Sequence, residues 1–465
     1  MRLAVALVAL LVLGGVTLGL ISRTFTGSLS SPVAASPSPN SGNAAPGAEP
    51  TTLPRSVLAA AQPGDPPDAA TIASRIKAVS RSGVGGVYSG SVVDVRTGKT
   101  LFAHRAGTAE IPASVNKLLT SAAVLAELGP EHRFTTKVVL GGKQAGKTRI
   151  ILVGGGDPYL ARKTTAATYP ARASVADLAA KTATALKKQK VSSVRLGYDA
   201  SLFTGPAWNP TWPSGYADQV TATSALWVDE GRLAGASPGP RTSDPAGQAA
   251  KAFATALKKR GIKVADVDEA KAGKGDATLA AVSSMPLERI VEQVLMASDN
   301  DAAEVLFRQV AVAAGRPGSI SQARKQVRVT LTKLKAWHED TVVHDGSGLS
   351  RDDRVGADTL SSLLRLGAHS SHPELRGLII GLPVAGVEGS PKHRFFEPDA
   401  VSARGVVRGK TGTLRRVSSL AGFVRTSDGS LLVYAFIANE VTGEFAAKTW
   451  LDEVTASVAS CGCQG

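Results

Sequence analysis

The sequence predicts an α/β (α+β) fold, in which helices pack on an antiparallel sheet and one or more inserted domains interrupt the chain. The C-terminal part contains three strand-like segments, and Ser427-Asp428-Gly429 joins the last two with a strong hairpin signal. These segments are residues 406–413, 418–426 and 430–439. Helical patterns precede them at 113–128 and 287–314 and follow them at 445–459. Between the first two helical stretches, residues 132–285 mix short strands and helices, which indicates one or two inserted domains.

The remaining elements follow from local patterns in chain order. A short helix over residues 71–79 precedes a predicted hairpin of residues 87–95 and 100–104. Gly129-Pro130 stops the helix over 113–128. In the middle block, short apolar runs predict two strands and helical periodicity predicts two helices. The strands are 138–140 and 149–153, and the helices are 177–188 and 249–259.

The composition is that of a globular protein with a basic surface. The chain has 465 residues, 43% of them hydrophobic and 20% charged, and its formal net charge is +15. We expect no nucleic-acid partner, because no long Lys/Arg run or basic–aromatic pattern accompanies this charge. In an exported protein the charge would favour anionic envelope polymers. The two cysteines, Cys461 and Cys463, are too few for a disulfide framework, and a local disulfide and two idle thiols both remain open.

The N-terminal sequence predicts export from the cytosol. Residues 3–21 carry no charge and are mostly Leu, Val, Ala and Gly. This run is longer than a usual signal-peptide core and about the minimum for a membrane span. We therefore expect residues 1–22 to be a signal peptide or a membrane anchor, with the bulk of the chain extracytoplasmic, in the cell envelope or secreted. Residues 23–68 are rich in Ser, Pro, Ala and Gly and are predicted to form a disordered linker.

Three short motifs that occur in order along the chain indicate chemistry. The first is Ser114-Val115-Asn116-Lys117, at the start of a predicted helix. A spacing of three residues places Ser114 Oγ and Lys117 Nζ on one helical face, one turn apart. A buried lysine can lose its proton and activate the serine as a nucleophile. The free backbone N–H groups at a helix start can stabilise a developing oxyanion.

The other two motifs supply groups that could face this nucleophile. Ser298-Asp299-Asn300 lies inside the predicted helical stretch 287–314 and offers a hydroxyl and an amide. Lys410-Thr411-Gly412-Thr413 lies on a predicted strand, where the glycine permits close backbone approach and the lysine can attract a carboxylate. Each motif alone is common. The prediction of a serine acyl-enzyme site therefore depends on their order and on the element that carries each one.

Two other motif matches are rejected on local grounds. Residues 141–148 match a phosphate-binding loop, yet the apolar run that follows predicts a strand instead of the required helix, so a hairpin turn is expected. Residues 235–239 match a nucleophile elbow, but Pro238 has no N–H for its oxyanion hole. The seven histidines form no zinc pattern. We therefore expect neither a metal nor a cofactor.

The three motifs together resemble those of the penicillin-recognising serine enzymes. More of the chain is similar to one branch, the DacB-type D-alanyl-D-alanine carboxypeptidase/endopeptidases, also called class C low-molecular-mass penicillin-binding proteins. Further segments that carry this similarity are residues 154–158, 224–231 and 345–351. The resemblance implies a penicillin-binding serine transpeptidase/β-lactamase-like catalytic domain over 69–160 and 286–465. Residues 161–285 would form the inserted domain or domains that this branch carries.

The same resemblance implies roles for the catalytic residues. Ser114 would be the nucleophile that attacks the penultimate D-alanine carbonyl, and Lys117 would be its general base. Ser298 and Asn300 would relay protons and hold the substrate. No chemical role is implied for Asp157 or for Asp345.

The resemblance also implies how the substrate binds. Lys410 and Thr411 would bind the terminal carboxylate, and the N–H groups of Ser114 and Thr413 would form the oxyanion hole. The predicted substrate-binding residues are Lys410, Thr411, Gly412 and Thr413. The expected partners are peptidoglycan peptides and β-lactam antibiotics, and penicillin would acylate Ser114. Membrane contact is expected only through the N-terminal segment.

Two alternative functions remain open beside the carboxypeptidase/endopeptidase. A serine β-lactamase would share the acylation step but would lose the penicilloyl group quickly. A catalytically idle peptidoglycan-binding protein would use only the inserted region, although such a module has no use for a Ser–Lys pair. The preference for carboxypeptidase or endopeptidase cleavage also stays open.

Overall fold

The structure is a computed structural model that describes residues 68–164 and 171–462. The predicted signal or anchor at 1–22 and nearly all of the predicted linker at 23–68 lie outside the described residues, as does Cys463. Cys461 is buried and disulfide-bonded, which excludes an idle thiol at this position. Among the described helices, none has both the length and the apolar character needed to cross a bilayer.

The described residues form ten strands and ten α-helices. The strands are β1 (Val87–Asp94), β2 (Thr100–His104), β3 (Thr135–Gln144), β4 (Lys147–Val153), β5 (Ser193–Asp199), β6 (Lys263–Glu269), β7 (Thr278–Ser283), β8 (Arg408–Leu414), β9 (Val417–Arg425) and β10 (Leu431–Asn439). The helices are α1 (Ala69–Ala78), α2 (Lys117–Leu128), α3 (Val175–Lys188), α4 (Pro245–Lys258), α5 (Leu287–Ala297), α6 (Asn300–Ala313), α7 (Ile320–Lys333), α8 (Ala357–Ala368), α9 (Gly377–Ile380) and α10 (Glu444–Ala459). The predicted α/β (α+β) class is confirmed.

The first sheet is antiparallel throughout and has the strand order β2-β1-β10-β9-β8. Its central strands are buried on both faces, because successive residues of β10 alternate between two cores. Ala435 and Ile437 pack in the core that contains α2, α5, α6 and α8. Tyr434 and Phe436 pack in the core that contains α1 and α10. The three strands predicted near the C-terminus are therefore confirmed, each within two residues of its predicted start.

The second sheet has the order β6-β5-β4-β3-β7, with a parallel half and an antiparallel half. Strands β4, β5 and β6 are parallel, whereas β3 pairs antiparallel with both β4 and β7. Helices α3 and α4 cover one face of this sheet. Strands β3 and β4 come before the predicted inserted region 161–285 in the sequence. They nevertheless pair with strands of that region, β7 and β5, in this sheet. The sheet therefore begins at Thr135, and the predicted division of the chain into domains stays a prediction.

Two local predictions gain detail from the structure. The hairpin turn expected in place of a phosphate-binding loop is confirmed, since Lys143 pairs with Thr148 across β3 and β4. The continuous helical stretch expected over 287–314 is wrong, because it is broken into α5 and α6. Ser298 adopts a left-handed conformation (φ 55°, ψ 39°) that ends α5, and the Asp299 carboxylate accepts the Ala302 N–H to start α6.

Candidate active site

Ser114 lies on a 3₁₀ turn, Ala113–Asn116, that leads directly into α2. The turn and the helix place Lys117 Nζ 2.9 Å from Ser114 Oγ, as the spacing of the motif requires. Lys117 has no solvent exposure. The serine and the lysine therefore form a hydrogen-bonded pair in a site from which water is largely excluded on the lysine side.

Strand β8 lies close against the turn that carries Ser114. Ser419 Oγ on β9 donates to the Pro112 carbonyl at 2.7 Å and fixes the start of the turn. A Cβ atom on Gly412 would lie 2.1 Å from Ser419 Oγ and 2.7 Å from the Pro112 oxygen. No other residue fits at Gly412 without displacing the backbone of this turn. The glycine of the Lys-Thr-Gly motif thus permits the close approach that the sequence predicted.

Lys117 Nζ joins three parts of the chain at one point. It donates to Ser114 Oγ at 2.9 Å, to Asn300 Oδ1 at 2.7 Å and to the Ser347 carbonyl at 2.7 Å. Burial lowers the pKa of Lys117 to about 8, although the negative charge of Asp345 and of other nearby carboxylates opposes this shift. A lysine with this pKa is neutral in about a tenth of the molecules at pH 7 and in about half at pH 8, and the neutral form can accept a proton from Ser114.

The Ser347 carbonyl is held in place by a buried carboxylate on α6. Glu304 Oε1 accepts the backbone N–H groups of Gly346 at 2.9 Å and Ser347 at 2.8 Å. Burial, followed by the charge of Asp345, raises the pKa of Glu304 to about 8. Glu304 lies one helical turn after Asn300, so α6 positions two of the three acceptors of Lys117: Asn300 Oδ1 directly and the Ser347 carbonyl through Glu304. The sequence analysis missed Glu304, because only the fold brings the loop at residue 347 to α6.

Asp345 organises the loop that contains Ser347. Its carboxylate accepts the N–H groups of Gly348 and Ser350, each at 2.6 Å, and the Trp212 indole N–H at 2.7 Å. A Cβ atom on Gly348, whose φ is +79°, would lie 1.9 Å from the Ala113 carbonyl oxygen. The loop therefore packs directly against the Ser114 turn, and Asp345 is a structural residue of this contact.

Lys410 lies on β8, within hydrogen-bond distance of Ser298. Its Nζ donates to Ser298 Oγ and to the Thr411 carbonyl, both at 2.8 Å, and it is fully buried. Burial, followed by the positive charge of Lys117, lowers the pKa of Lys410 well below its usual value. The Thr411 hydroxyl lies 2.6 Å from Ser390 Oγ. This arrangement places a lysine amino group and a hydroxyl where a carboxylate could bind.

The predicted site residues share one cleft of about 710 Å³. Ser114, Ser298, Asn300 and Thr413 line it directly. Lys117 and Lys410 lie behind these residues, and each is hydrogen-bonded to at least one of them. Other lining residues include Tyr216, Gln219, Arg232, Ser237 and Pro238, which come from the predicted inserted region. The structure therefore brings all three motifs together, and the inserted region completes the wall of the cleft.

Comparison with known proteins identifies the protein family. The D-Ala-D-Ala carboxypeptidase 3 (S13) family matches residues 72–239 and 234–460. This chain belongs to that family. The resemblance to DacB-type enzymes is thereby confirmed, and the chain is a D-alanyl-D-alanine carboxypeptidase, a hydrolase of the peptidase class.

Individual S13 relatives support this assignment over most of the chain. A carboxypeptidase of Mycobacterium tuberculosis is 34% identical over 430 residues, which is 90% of this chain and 90% of the relative. Carboxypeptidase DacB of Mycolicibacterium smegmatis is 36% identical over 390 residues, or 81% of each chain. The crystal structure of penicillin binding protein 4 (dacB) from Haemophilus influenzae has a TM-score of 0.66 at 21% identity, covering 82% of this chain and 97% of that one. The S13 chain shares the fold of that protein.

A cluster of buried carboxylates beside the S13 cleft is an ion-pair network. Glu230, Asp299 and Asp301 each bring one oxygen atom within 4.8 Å of the others, a spacing that could also hold a metal ion. The guanidinium groups of Arg232 and Arg241 lie 2.9–3.2 Å from these carboxylates. Because two guanidinium groups already pair with the three carboxylates, the cluster does not fit a cation site. The sequence analysis missed both arginines, since they lie about 60 to 70 residues from Asp299 and Asp301.

Asp157 lies outside the catalytic cleft. Its carboxylate is buried and accepts the Tyr159 N–H at 2.9 Å. Burial raises the pKa of Asp157 to about 7. The described contacts are those of a turn residue.

Proposed function

We propose that this carboxypeptidase cleaves the terminal D-Ala-D-Ala bond of peptidoglycan stem peptides through an acyl-enzyme on Ser114, and that β-lactams acylate the same serine. The observation that carries the proposal is the position of Lys117 Nζ, which bridges Ser114 Oγ and Asn300 Oδ1 in a buried site. Burial lowers the pKa of Lys117 to about 8, which suits a proton acceptor, and its Nζ lies within hydrogen-bond distance of the nucleophile.

Acylation begins with proton transfer from Ser114 Oγ to neutral Lys117. The serine oxygen attacks the carbonyl carbon of the penultimate D-alanine, and the carbonyl oxygen takes up the negative charge. The backbone N–H groups of Ser114 and Thr413 would stabilise this oxyanion. The C–N bond then breaks, the terminal D-alanine leaves after its nitrogen gains a proton, and the acyl group stays on Ser114 as an ester.

The groups around Ser298 serve substrate binding and proton transfer in this proposal. Lys410 and Thr411 would bind the terminal carboxylate, whose negative charge compensates the buried ammonium of Lys410. Ser298 Oγ lies 2.8 Å from Lys410 Nζ and lines the cleft, so its hydroxyl can relay a proton to the leaving nitrogen. Water would then hydrolyse the ester, with Lys117 again accepting a proton, and release the shortened peptide.

The cellular side of the proposal rests on the sequence and on the relatives. We place the folded region outside the cytoplasm, in the cell envelope or secreted, with membrane contact only through residues 1–22. The Haemophilus influenzae protein of the same fold has been crystallised in complex with a β-lactam, which supports the β-lactam part. The charge of +15 is compatible with an environment of anionic wall polymers.

The direct test is release of D-alanine from a synthetic peptide that ends in D-Ala-D-Ala. The wild-type protein should release D-alanine, and Ser114→Ala should release none above background. The matched control is Ser74→Ala, since Ser74-Arg75-Ile76-Lys77 has the same spacing on α1 but Ser74 and Lys77 are exposed. Activity that persists in Ser114→Ala, or that is lost in Ser74→Ala, would contradict the assignment.

A second measurement separates a carboxypeptidase from a β-lactamase. A fluorescent penicillin should form an adduct with the wild-type protein that outlasts many turnovers of the peptide substrate. Rapid, repeated hydrolysis of the penicillin without a lasting adduct would favour the β-lactamase alternative.

A further inference from the structure

The Ser298–Asp301 segment divides its side chains between two environments. Ser298 Oγ accepts from Lys410 Nζ at 2.8 Å, and Asn300 Oδ1 accepts from Lys117 Nζ at 2.7 Å. The alternate residues, Asp299 and Asp301, form ion pairs with Arg232 instead. The position of these carboxylates therefore determines where the two cleft-facing groups lie.

One guanidinium group contacts both carboxylates. Arg232 Nη2 lies 2.9 Å from Asp299 Oδ2 and 3.2 Å from Asp301 Oδ2, and Arg232 Nε lies 3.3 Å from the latter oxygen. The Arg232 side chain is 16% exposed, and the carboxylates are 5% and 1% exposed. A planar guanidinium that binds two acceptors fixes both their distance and their orientation.

The loop that carries Arg232 has a strained backbone. Asp229, Glu230 and Gly231 are all left-handed, with φ of 52°, 59° and 70°. Two non-glycine residues in this region cost free energy, which the surrounding contacts must offset. Arg232 then pairs with Arg241 in an antiparallel bridge, which holds the two guanidinium groups side by side near Asp301.

The Ser298–Asp301 segment needs such external support. Ser298 is itself left-handed (φ 55°) at the junction of α5 and α6. Its N–H still donates to the Val294 carbonyl of α5, but this conformation costs free energy in a non-glycine residue, and neighbouring contacts must offset that cost. The Thr221 N–H donates to Asp301 Oδ1 at 2.7 Å, and Asn300 Nδ2 donates to the Gln219 carbonyl at 3.1 Å. These contacts come from the same region of the chain as Arg232.

The charges of the network make Arg232 essential to it. Burial would raise the pKa of Asp299, but a hydrogen bond from Glu230 and the charge of Arg232 lower it overall. Burial, followed by the charge of Asp299, raises the pKa of Asp301 to about 6 and that of Glu230 well above its usual value. Without Arg232, these buried acids would repel one another or take up protons, and the segment that contains Ser298 and Asn300 would move.

We propose that Arg232 is a positioning residue for catalysis, whose guanidinium holds Asp299 and Asp301 and thereby keeps Ser298 on Lys410 and Asn300 on Lys117. Arg232 acts through these residues and forms no bond with the nucleophile. The inserted region thus has a function in the reaction in addition to lining the cleft. The inference rests on the proposed acylation of Ser114.

The test compares Arg232→Met with Arg162→Met by stopped-flow acylation with a fluorescent penicillin. Saturation kinetics separate the acylation rate constant from the binding constant of the penicillin. Arg232→Met should lower the acylation rate constant by about 100-fold, because small displacements of catalytic groups have effects of this size. Arg162 pairs at 3.3 Å with the half-exposed Asp229 and contacts none of the residues 298–301, so its loss should change the rate by less than about fivefold.

Two further variants distinguish positioning from general destabilisation. Arg232→Lys keeps the positive charge but not the planar, forked guanidinium, so its acylation rate constant should be about tenfold lower than that of the wild type. Adding Asp301→Asn to Arg232→Met removes a buried carboxylate that has lost one of its two arginine partners, and it should raise the acylation rate constant at least about tenfold above that of Arg232→Met. If lower stability alone caused the slower acylation, the acylation rate constants of the variants would instead rank in the order of their melting temperatures.

The outcomes separate this inference from the proposed function. If wild-type protein forms no adduct on Ser114, the proposed function fails, and the role of Arg232 in it fails as well. If wild-type protein is acylated normally and Arg232→Met is folded and equally fast, only the positioning role of Arg232 is overturned. If Arg232→Met does not fold, the Lys variant decides, and an unchanged acylation rate in that variant overturns the inference.

Discussion

The two walls of the cleft carry one buried lysine each, and the lysines differ in their electrostatic surroundings. Lys117 lies near several carboxylates, including Asp345 and Asp299, which limit the effect of burial and leave its pKa at about 8. Among residues 68–164 and 171–462, no carboxylate opposes the effect of burial on Lys410, and the positive charge of Lys117 lowers the pKa of Lys410 further. The protein's own carboxylates therefore compensate the charge of Lys117, the proposed base. The charge of Lys410 is left for the carboxylate of a bound substrate to compensate.

This difference explains how two buried lysines beside one cleft can have different roles. Lys117 has three hydrogen-bond acceptors, one of which is Ser114 Oγ. Lys410 has two, one of which is its neighbour's carbonyl. A carboxylate that binds at Lys410 would add the missing negative charge and would raise the pKa of that lysine.

The largest expected effect comes from removing the proposed base. Lys117→Met should lower the rate of Ser114 acylation by about 10⁴-fold, because general-base catalysis contributes up to this amount. Lys77→Met, in the exposed Ser-x-x-Lys pattern of α1, is the matched control and should leave the rate unchanged. Stopped-flow acylation by a fluorescent penicillin measures both variants. Rapid acylation of Lys117→Met would show that Lys117 is not the general base.

The next effect should depend on the substrate carboxylate. Lys410→Met should lower kcat/KM for a peptide with a free D-Ala-D-Ala terminus by about 100-fold, since a hydrogen bond to a charged group contributes up to about 3 kcal/mol. The same peptide with an amidated C-terminus should be affected much less. Steady-state kinetics with both peptides measure the difference. Equal losses for the two peptides would mean that Lys410 does not bind the carboxylate.

The pH dependence should follow the pKa of Lys117. The base must be neutral, and a lysine whose pKa is lowered to about 8 is neutral above that pH. On the acid side, kcat/KM should therefore rise about tenfold per pH unit and level off near pH 8. A pH series of D-alanine release measures this limb. A rate that is flat or falls as the pH rises toward 8 would contradict the role of Lys117.

The smallest expected effect concerns a hydroxyl behind the carboxylate site. Ser390 Oγ lies 2.6 Å from the Thr411 hydroxyl, and this contact fixes the direction of that hydroxyl. Ser390→Ala should raise KM about fivefold with little change in kcat, because one neutral hydrogen bond contributes about 1 kcal/mol. Steady-state kinetics with the free-carboxylate peptide measure this change, and a larger fall in kcat than in 1/KM would contradict it.

The sequence predicts most of the elements and the chemistry of the site because these depend on local patterns. The strands near the C-terminus and the Ser114–Lys117 pair follow from periodicity and spacing within one element. The break at Ser298 could not be predicted in this way, because apolar residues continue through both α5 and α6. Its only local signal is Asp299, a good helix N-cap.

The supporting contacts of the site are the part that the sequence does not predict. The Ser347 carbonyl meets Lys117 across 230 residues, and Arg232 meets Asp299 across 67. A backbone carbonyl has no sequence signature, and an arginine in a loop is usually a solvated surface residue. The assignment of β3 and β4 to the second sheet likewise depends on pairing with distant strands, which short apolar runs do not specify.

Mass spectrometry after penicillin treatment identifies the residue that becomes acylated. Wild-type protein should gain the mass of one penicillin on the peptide that contains Ser114, and Ser114→Ala should gain none. An adduct that persists in Ser114→Ala, or that maps to another peptide of the wild-type protein, would contradict the account.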